Sequence, residues 1–264
     1  GVPMTTRSII RKTGQEPIVM VTAWDSITAR MAAAAGVDMI LVGDSLANTA
    51  LGYSTTLPVT LEAMYHHASA VTRASGETLV VFDMPFLACC GNLAEDVRAC
   101  GRALKECGCQ AVKMEGTNTD LVRALVGQGI PVMGHLGLMP QRVHQYGGMF
   151  VQGRGEDATS LLASARALVD AGIFSLVLEC VPEELGARAA AELPVPVIGI
   201  GAGRHVDGQV QVLADLLGLA PGKTPKHANR YAGLFDAAVE AIGQYAGDVR
   251  NRRFPDQQHT FGDT

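Results

Sequence analysis

Four acidic residues each close a short apolar run in this sequence. Asp44 follows Ile40-Leu41-Val42-Gly43, Asp83 follows Val80-Val81-Phe82, Glu115 follows Val112-Lys113-Met114, and Glu179 follows Leu176-Val177-Leu178. His135 ends a fifth run, Val132-Met133-Gly134, in the same way. If these runs are parallel strands of one sheet, their acids meet in space, and like charges so placed repel unless a cation or a cationic side chain compensates them. Asp44, Asp83 and Glu115 offer hard oxygen ligands, the chemistry of a Mg²⁺ site completed by water or substrate. Zinc is a poorer fit, because the six cysteines form no CxxC pair and His66 and His67 are adjacent within a predicted helix. Lys113 and Glu115 stand two apart on one strand and so share a face, where Lys113 neutralises the acids or binds a carboxylate.

Each of these residues also has a plainer reading. An Asp after a strand is often the N-cap of the next helix, and capping is a sufficient account of Asp25 in Trp24-Asp25-Ser26. A lysine in a barrel can snorkel, and a lone histidine is often structural. It is the four acids together that point to a site.

The elements that position them follow from the pattern. Apolar runs at Ile18 to Ala23, Met39 to Gly43, Leu79 to Phe82, Ala111 to Met114, Val132 to Gly134, Leu176 to Leu178 and Val195 to Ile200 read as strands buried on both faces. Between them lie helical stripes, such as Leu93, Val97, Cys100, Leu104 and Cys107, or Leu161, Ala165, Leu168 and Val169. Asn92 with Glu95 three residues on resembles a capping box, and Gly108 and Gly172 stand where left-handed C-caps would be. An eighth strand at Gln209 to Leu213 follows Gly203 too closely for a full helix to intervene, so that unit is degenerate. Eight βα units predict an α/β fold of the TIM (β/α)8 type, whose active sites lie at the C-terminal strand ends. The expected layout is one domain over residues 1–264, with the barrel at about 17–220 and a helical extension at about 225–264. The extension carries a helix over Tyr231 to Tyr245 and a polar tail from Asn251. Met139 to Asp157 reads as one long irregular segment, and its Gly147–Gly155 part as a loop that closes over the site. Gly199-Ile200-Gly201-Ala202-Gly203 suits either phosphate binding or close strand packing.

Composition narrows the partners. The chain has 264 residues, 48% of them hydrophobic and 18% charged, with a formal net charge of −5 and no basic run, which argues against disorder and against nucleic acid. Pro131, His135 and several glycines interrupt the stretch from Ala124 to Gln141, so no membrane span is expected. No secretory signal is legible, and the expected location is cytoplasmic, with the cysteines as core thiols.

Taken together, Val42-Gly43-Asp44-Ser45-Leu46, Asp83-Met84-Pro85-Phe86, Val112-Lys113-Met114-Glu115-Gly116, Gly134-His135-Leu136-Gly137-Leu138 and Leu178-Glu179-Cys180-Val181-Pro182 resemble the ketopantoate (3-methyl-2-oxobutanoate) hydroxymethyltransferase family. Val151-Gln152-Gly153-Arg154-Gly155, the glycine run after Ile198 and the tail from Phe254-Pro255 to His259 extend the resemblance over nearly the whole chain. It implies a homodecameric TIM-barrel enzyme of pantothenate biosynthesis that moves a one-carbon unit from 5,10-methylenetetrahydrofolate to 3-methyl-2-oxobutanoate, giving 2-dehydropantoate through a Mg²⁺-stabilised enolate. It further implies Asp44, Asp83 and Glu115 as magnesium acids, Asp44, Ser45, Asp83 and Lys113 as oxo-acid contacts, Glu179 as proton acceptor, and His135 in a supporting role. The sequence departs from the family at Trp24, at Ala47-Asn48 and near Cys89-Cys90, all close to the expected mouth. Two rival readings are a Mg²⁺-dependent 2-oxo-acid lyase of the phosphoenolpyruvate mutase/isocitrate lyase type and a non-catalytic effector-binding barrel.

Overall fold

The computed structural model describes residues 3–262. Chain contacts divide the protein into two compact units, Gly1–Leu213 and Ala214–Thr264. The first unit contains strands β1 (Ile18–Thr22), β2 (Met39–Val42), β3 (Leu79–Asp83), β4 (Ala111–Glu115), β5 (Val132–Gly137), β6 (Ser175–Glu179), β7 (Val197–Ile200) and β8 (Gly208–Gln211). All neighbours pair in parallel and β8 returns to β1, which closes the barrel in sequence order. The helices are α1 (Thr6–Arg11), α2 (Ser26–Ala34), α3 (Leu46–Thr49), α4 (Leu61–Thr72), α5 (Leu93–Lys105), α6 (Thr119–Gly127), α7 (Val143–Tyr146), α8 (Asp157–Ala171), α9 (Glu183–Glu192), α10 (Leu213–Leu217) and α11 (Leu234–Arg250). The expected TIM barrel is present, including the degenerate last unit with no helix between β7 and β8.

Local signals account for the helix ends. Asp25 caps α2 in a reciprocal box with Thr28, and Asn92 caps α5 by accepting from the Glu95 N–H. Gly172 ends α8 in the left-handed conformation, while α5 stops at Lys105, a few residues short of Gly108. Within the barrel the side chains alternate. Ile18, Met20, Met39, Leu41, Leu79, Val81, Ala111, Met133, Val177, Ile198, Ile200 and Val210 form the interior cluster, joined by Ile9 of α1. Cys100, Cys107 and Cys109 are buried thiols, as expected, but Cys90 is exposed and Cys89 and Cys180 are half-buried.

Two expectations are corrected. Residues 139–157 are not wholly irregular, because a 3-10 turn at Pro140–Arg142 runs into α7. Proline fixes the backbone angle at the first position of that turn and so favours it. Gln152 N–H donates to Cys180 O at 2.9 Å, which ties the rest of the segment beside the end of β6. In the second unit, α11 spans Leu234–Arg250 rather than Tyr231 to Tyr245, since its apolar stripe continues to Val249. Among the described residues no helix is long and apolar enough to cross a membrane.

Candidate active site

The alternation that fills the barrel also builds the site. Leu79 and Val81 point inward on β3, and the next inward position is Asp83; Ala111 is followed on β4 by Lys113 and Glu115. Met133 is followed on β5 by His135, and Val177 on β6 by Glu179. Register then sets the neighbours: Asp83 pairs with Lys113, Glu115 with His135, and Gly137 with Glu179. Gly137 is obligatory there, because at φ +87° a Cβ would lie 2.3 Å from the Glu179 carbonyl oxygen.

A continuous row of polar contacts crosses these strand ends. The backbone N–H of Asp44 donates to Asp83 Oδ2 at 2.9 Å. Asp83 Oδ1 is ion-paired with Lys113 Nζ at 2.7 Å, although no hydrogen bond of good angle reaches it. Lys113 Nζ donates to His135 Nδ1 at 3.1 Å. That role follows from the other ring nitrogen: Nε2 faces the Leu138 carbonyl at 3.0 Å, which can only accept, so Nε2 carries the proton and Nδ1 presents its lone pair. Nε2 also lies 3.1 Å from Glu179 Oε2. Four side chains of the row are buried, and Glu179 retains 12% exposure, enough to meet a ligand from the mouth.

The row is short of positive charge. Burial first, and the neighbouring Asp83 second, push the Asp44 carboxyl up to about 8. Burial likewise raises Glu115 to about 9; Lys113 opposes this, and Asp44, Asp83 and Glu179 add to it. Burial alone would pull the Lys113 ammonium down, but Asp83, Glu115 and Asp44 together hold it above its usual value. Glu115 Oε1 is buried with no hydrogen-bond partner, 3.8 Å from His135 Nδ1. Hard oxygens, a carboxyl oxygen lacking a partner and more acids than the one lysine can neutralise suit a divalent cation.

The sequence-derived residues do not all stand alike. Asp44, Asp83, Lys113, Glu115, His135 and Glu179 meet in one network. Among the described residues, however, no three His, Cys, Asp or Glu side chains form a ready-made metal cluster, so Asp44, Asp83 and Glu115 are not a preformed three-ligand set. One oxygen of each accepts a hydrogen bond from the chain instead: Asp83 Oδ2, Glu115 Oε2 and Asp44 Oδ2. Ser45 sits beside Asp44 as the residue before α3, and its hydroxyl does not cap that helix. Sequence reading missed Gln141, whose side-chain amide donates to Asp44 Oδ2 at 3.0 Å and to Met84 O at 2.9 Å. Only its place soon after a strand end could have signalled it. Beside Glu115 and Gln141 opens a cavity of about 210 Å³, lined also by Met84, Phe86, Cys89 and Arg142.

Comparison with solved structures locates the fold. Over 97% of this chain and 93% of the other, it superposes on a phosphonopyruvate hydrolase complex with oxalate and Mg²⁺, at TM-score 0.63 and 11% identity. A phosphoenolpyruvate phosphomutase from Streptomyces platensis subsp. rosaceus gives TM-score 0.61 at 15% identity, covering 93% of this chain and 86% of that one. At such identities these likenesses establish the architecture alone. Sequence relatives are far nearer. The 3-methyl-2-oxobutanoate hydroxymethyltransferase of Moorella thermoacetica is 53% identical over 249 residues, 93% of each chain. That of Pseudothermotoga lettingae is 51% identical over 251 residues, covering 94% of this chain and 95% of its own. The sequence model of ketopantoate hydroxymethyltransferase matches residues 3–257. With the barrel, the strand-end acids and this coverage in agreement, the chain belongs to the ketopantoate hydroxymethyltransferase family.

Proposed function

We propose that this enzyme transfers a hydroxymethyl group from 5,10-methylenetetrahydrofolate to 3-methyl-2-oxobutanoate, giving 2-dehydropantoate, with Mg²⁺ at the ends of β2 to β4. The observation that carries the reading is the placement of Glu179. It ends the row opposite to Asp44 and Asp83, 3.1 Å from a His135 nitrogen that bears a proton. A base so oriented can face the C3 hydrogen of an oxo acid whose oxygens lie toward the other acids.

Glu179 takes the C3 proton, and the C–H electron pair enters the C2–C3 bond as the carbonyl electrons move onto oxygen. Mg²⁺, held by Asp44 and Asp83 with Glu115 beside them, would supply Lewis-acid stabilisation of negative charge on that oxygen. One or two carboxylates suffice for magnesium, in keeping with acids that form no three-ligand cluster. Lys113 fixes Asp83 and offsets the charge of the substrate carboxylate; Ser45 lies within the same mouth. His135, whose Nε2 proton is directed at Leu138 O, lies 3.1 Å from Glu179 Oε2 and supports it by proximity. Water takes up the folate-borne carbon as its two C–N bonds break, and tetrahydrofolate departs with the two protons of water on its nitrogens; C3 then bonds to the freed carbonyl carbon, and the proton held by Glu179 passes to the new hydroxyl oxygen. We read the protein as a cytoplasmic homodecamer.

Proton NMR of 3-methyl-2-oxobutanoate in D₂O with the protein and Mg²⁺ tests the first step. The C3–H signal should decay and EDTA should stop the decay. Absence of exchange both with and without tetrahydrofolate would sink the proposal.

A further inference from the structure

Gln141 touches three of the four acid-bearing strand ends, β2, β3 and β4, from the segment that follows β5. Its side-chain nitrogen reaches Asp44 Oδ2 at 3.0 Å and Met84 O, the carbonyl next to Asp83, at 2.9 Å. Its backbone N–H reaches Glu115 Oε2 at 3.3 Å. The Met84 carbonyl can only accept, so the carboxamide must turn its NH₂ group to it, and the same nitrogen meets Asp44 Oδ2. The backbone contact has an equally local cause. Pro140 has no N–H, so Gln141 supplies the first free donor of the 3-10 turn, which is closed by Arg142 N–H on Met139 O at 2.8 Å.

We propose that Gln141 is a positioning residue for the divalent cation: as an uncharged donor it sets the plane of the Asp44 carboxylate and clamps it to the backbone beside Asp83. The inference rests on the reading of this site as a Mg²⁺ site. Charge is the reason for an amide here. An ammonium or guanidinium making the same contacts would neutralise Asp44 and repel a metal ion, whereas a carboxylate would add a further repelling acid to the cluster. A neutral NH₂ group orients the ligand and leaves its charge for the cation. Hydrogen bonds from outside a metal's ligand set commonly govern affinity in this way.

The test uses the full chain with Mn²⁺ as the probe, following free ion by its EPR signal, for wild type, Gln141→Met and Gln141→Lys. The methionine variant keeps the side chain's length and removes both donors, and should weaken Mn²⁺ binding about 10–100-fold. The lysine variant restores a donor together with a charge. If Gln141 were merely a structural hydrogen-bond donor, Gln141→Lys would recover Mn²⁺ affinity; the proposal expects it to bind Mn²⁺ no better than Gln141→Met, while matching or exceeding that variant in metal-free thermal stability. A dissociation constant within twofold of wild type for either folded variant overturns the assignment, and the lysine variant alone decides it if the methionine variant does not fold. A wild-type chain that binds no Mn²⁺ removes the metal site, and the inference with it, whereas wild-type binding with unaltered variants overturns Gln141 only.

Discussion

The two ends of the same strands differ in chemistry while obeying the same geometry. At the N-terminal end, the inward positions are Ile18, Leu79 and Ala111, packed with Ile9 from α1. Two or four residues further along, on the same inward face, stand Asp83, Lys113, Glu115, His135 and Glu179. One end gains stability from apolar contact, and the other gives some up to hold charges out of water. A barrel can tolerate the second because the first lies below it in the same strands.

That contrast can be broken from the top most sharply. Glu179→Gln removes the proposed base and keeps the side chain's shape, so kcat and the rate of C3–H exchange should fall about 10²–10⁴-fold. Its melting temperature should stay near that of wild type. A rate within fivefold of wild type in the exchange assay would take Glu179 out of the reaction. Ile18→Ala at the other end should do the reverse, costing about 2–5 kcal/mol in urea unfolding while leaving kcat within twofold. A large fall in kcat without loss of stability would erase the distinction between the ends.

The smallest effect is the pH dependence of the charged end. Asp44 and Glu115, pushed up to about 8 and about 9, keep protons in the metal-free folded chain that the unfolded chain has released. Where the folded state binds more protons, stability falls as pH rises, so this contribution declines from about pH 4 through about pH 9. Scanning calorimetry in EDTA at pH 5 and pH 9 should show the lower melting temperature at pH 9, and added Mg²⁺ should raise it more at pH 9 than at pH 5. Equal gains at both values would show that the cation does not relieve these carboxyls.

Much of this contrast was readable from residue types alone. Buried parallel strands announce themselves as unbroken apolar runs, and the polar residue that stops each run marks the mouth, which is how Asp44, Asp83, Glu115, His135 and Glu179 were found. The short interval between Gly203 and Gln209 was sufficient to expect the missing helix. What escaped was carried by groups without a distinctive side chain. Met84 O and Leu138 O, which hold Gln141 and His135, are backbone carbonyls that every residue possesses. Gln141 lay in a stretch read as irregular because its glycines outweighed the single turn that Pro140 starts. The extent of α11 differs at both ends from the expected Tyr231 to Tyr245, and at its C-terminal end the apolar stripe continues to Val249. The convergence of charge is legible only in part: the acids meet as a group at the strand ends, but their individual hydrogen-bond partners depend on where the loops fall.

The row from Asp44 to Glu179 takes at least one member from each strand end between β2 and β6, and pairing of neighbouring strands places those from β3 to β6. No fragment of the chain lacking one of those strands can assemble it, and a one-residue slip in any of them would turn its member outward. Catalytic turnover is thus a reporter of assembly: when the chain is cut into two pieces that recombine, recovered activity counts the molecules whose barrels have closed in register, apart from those that have merely associated.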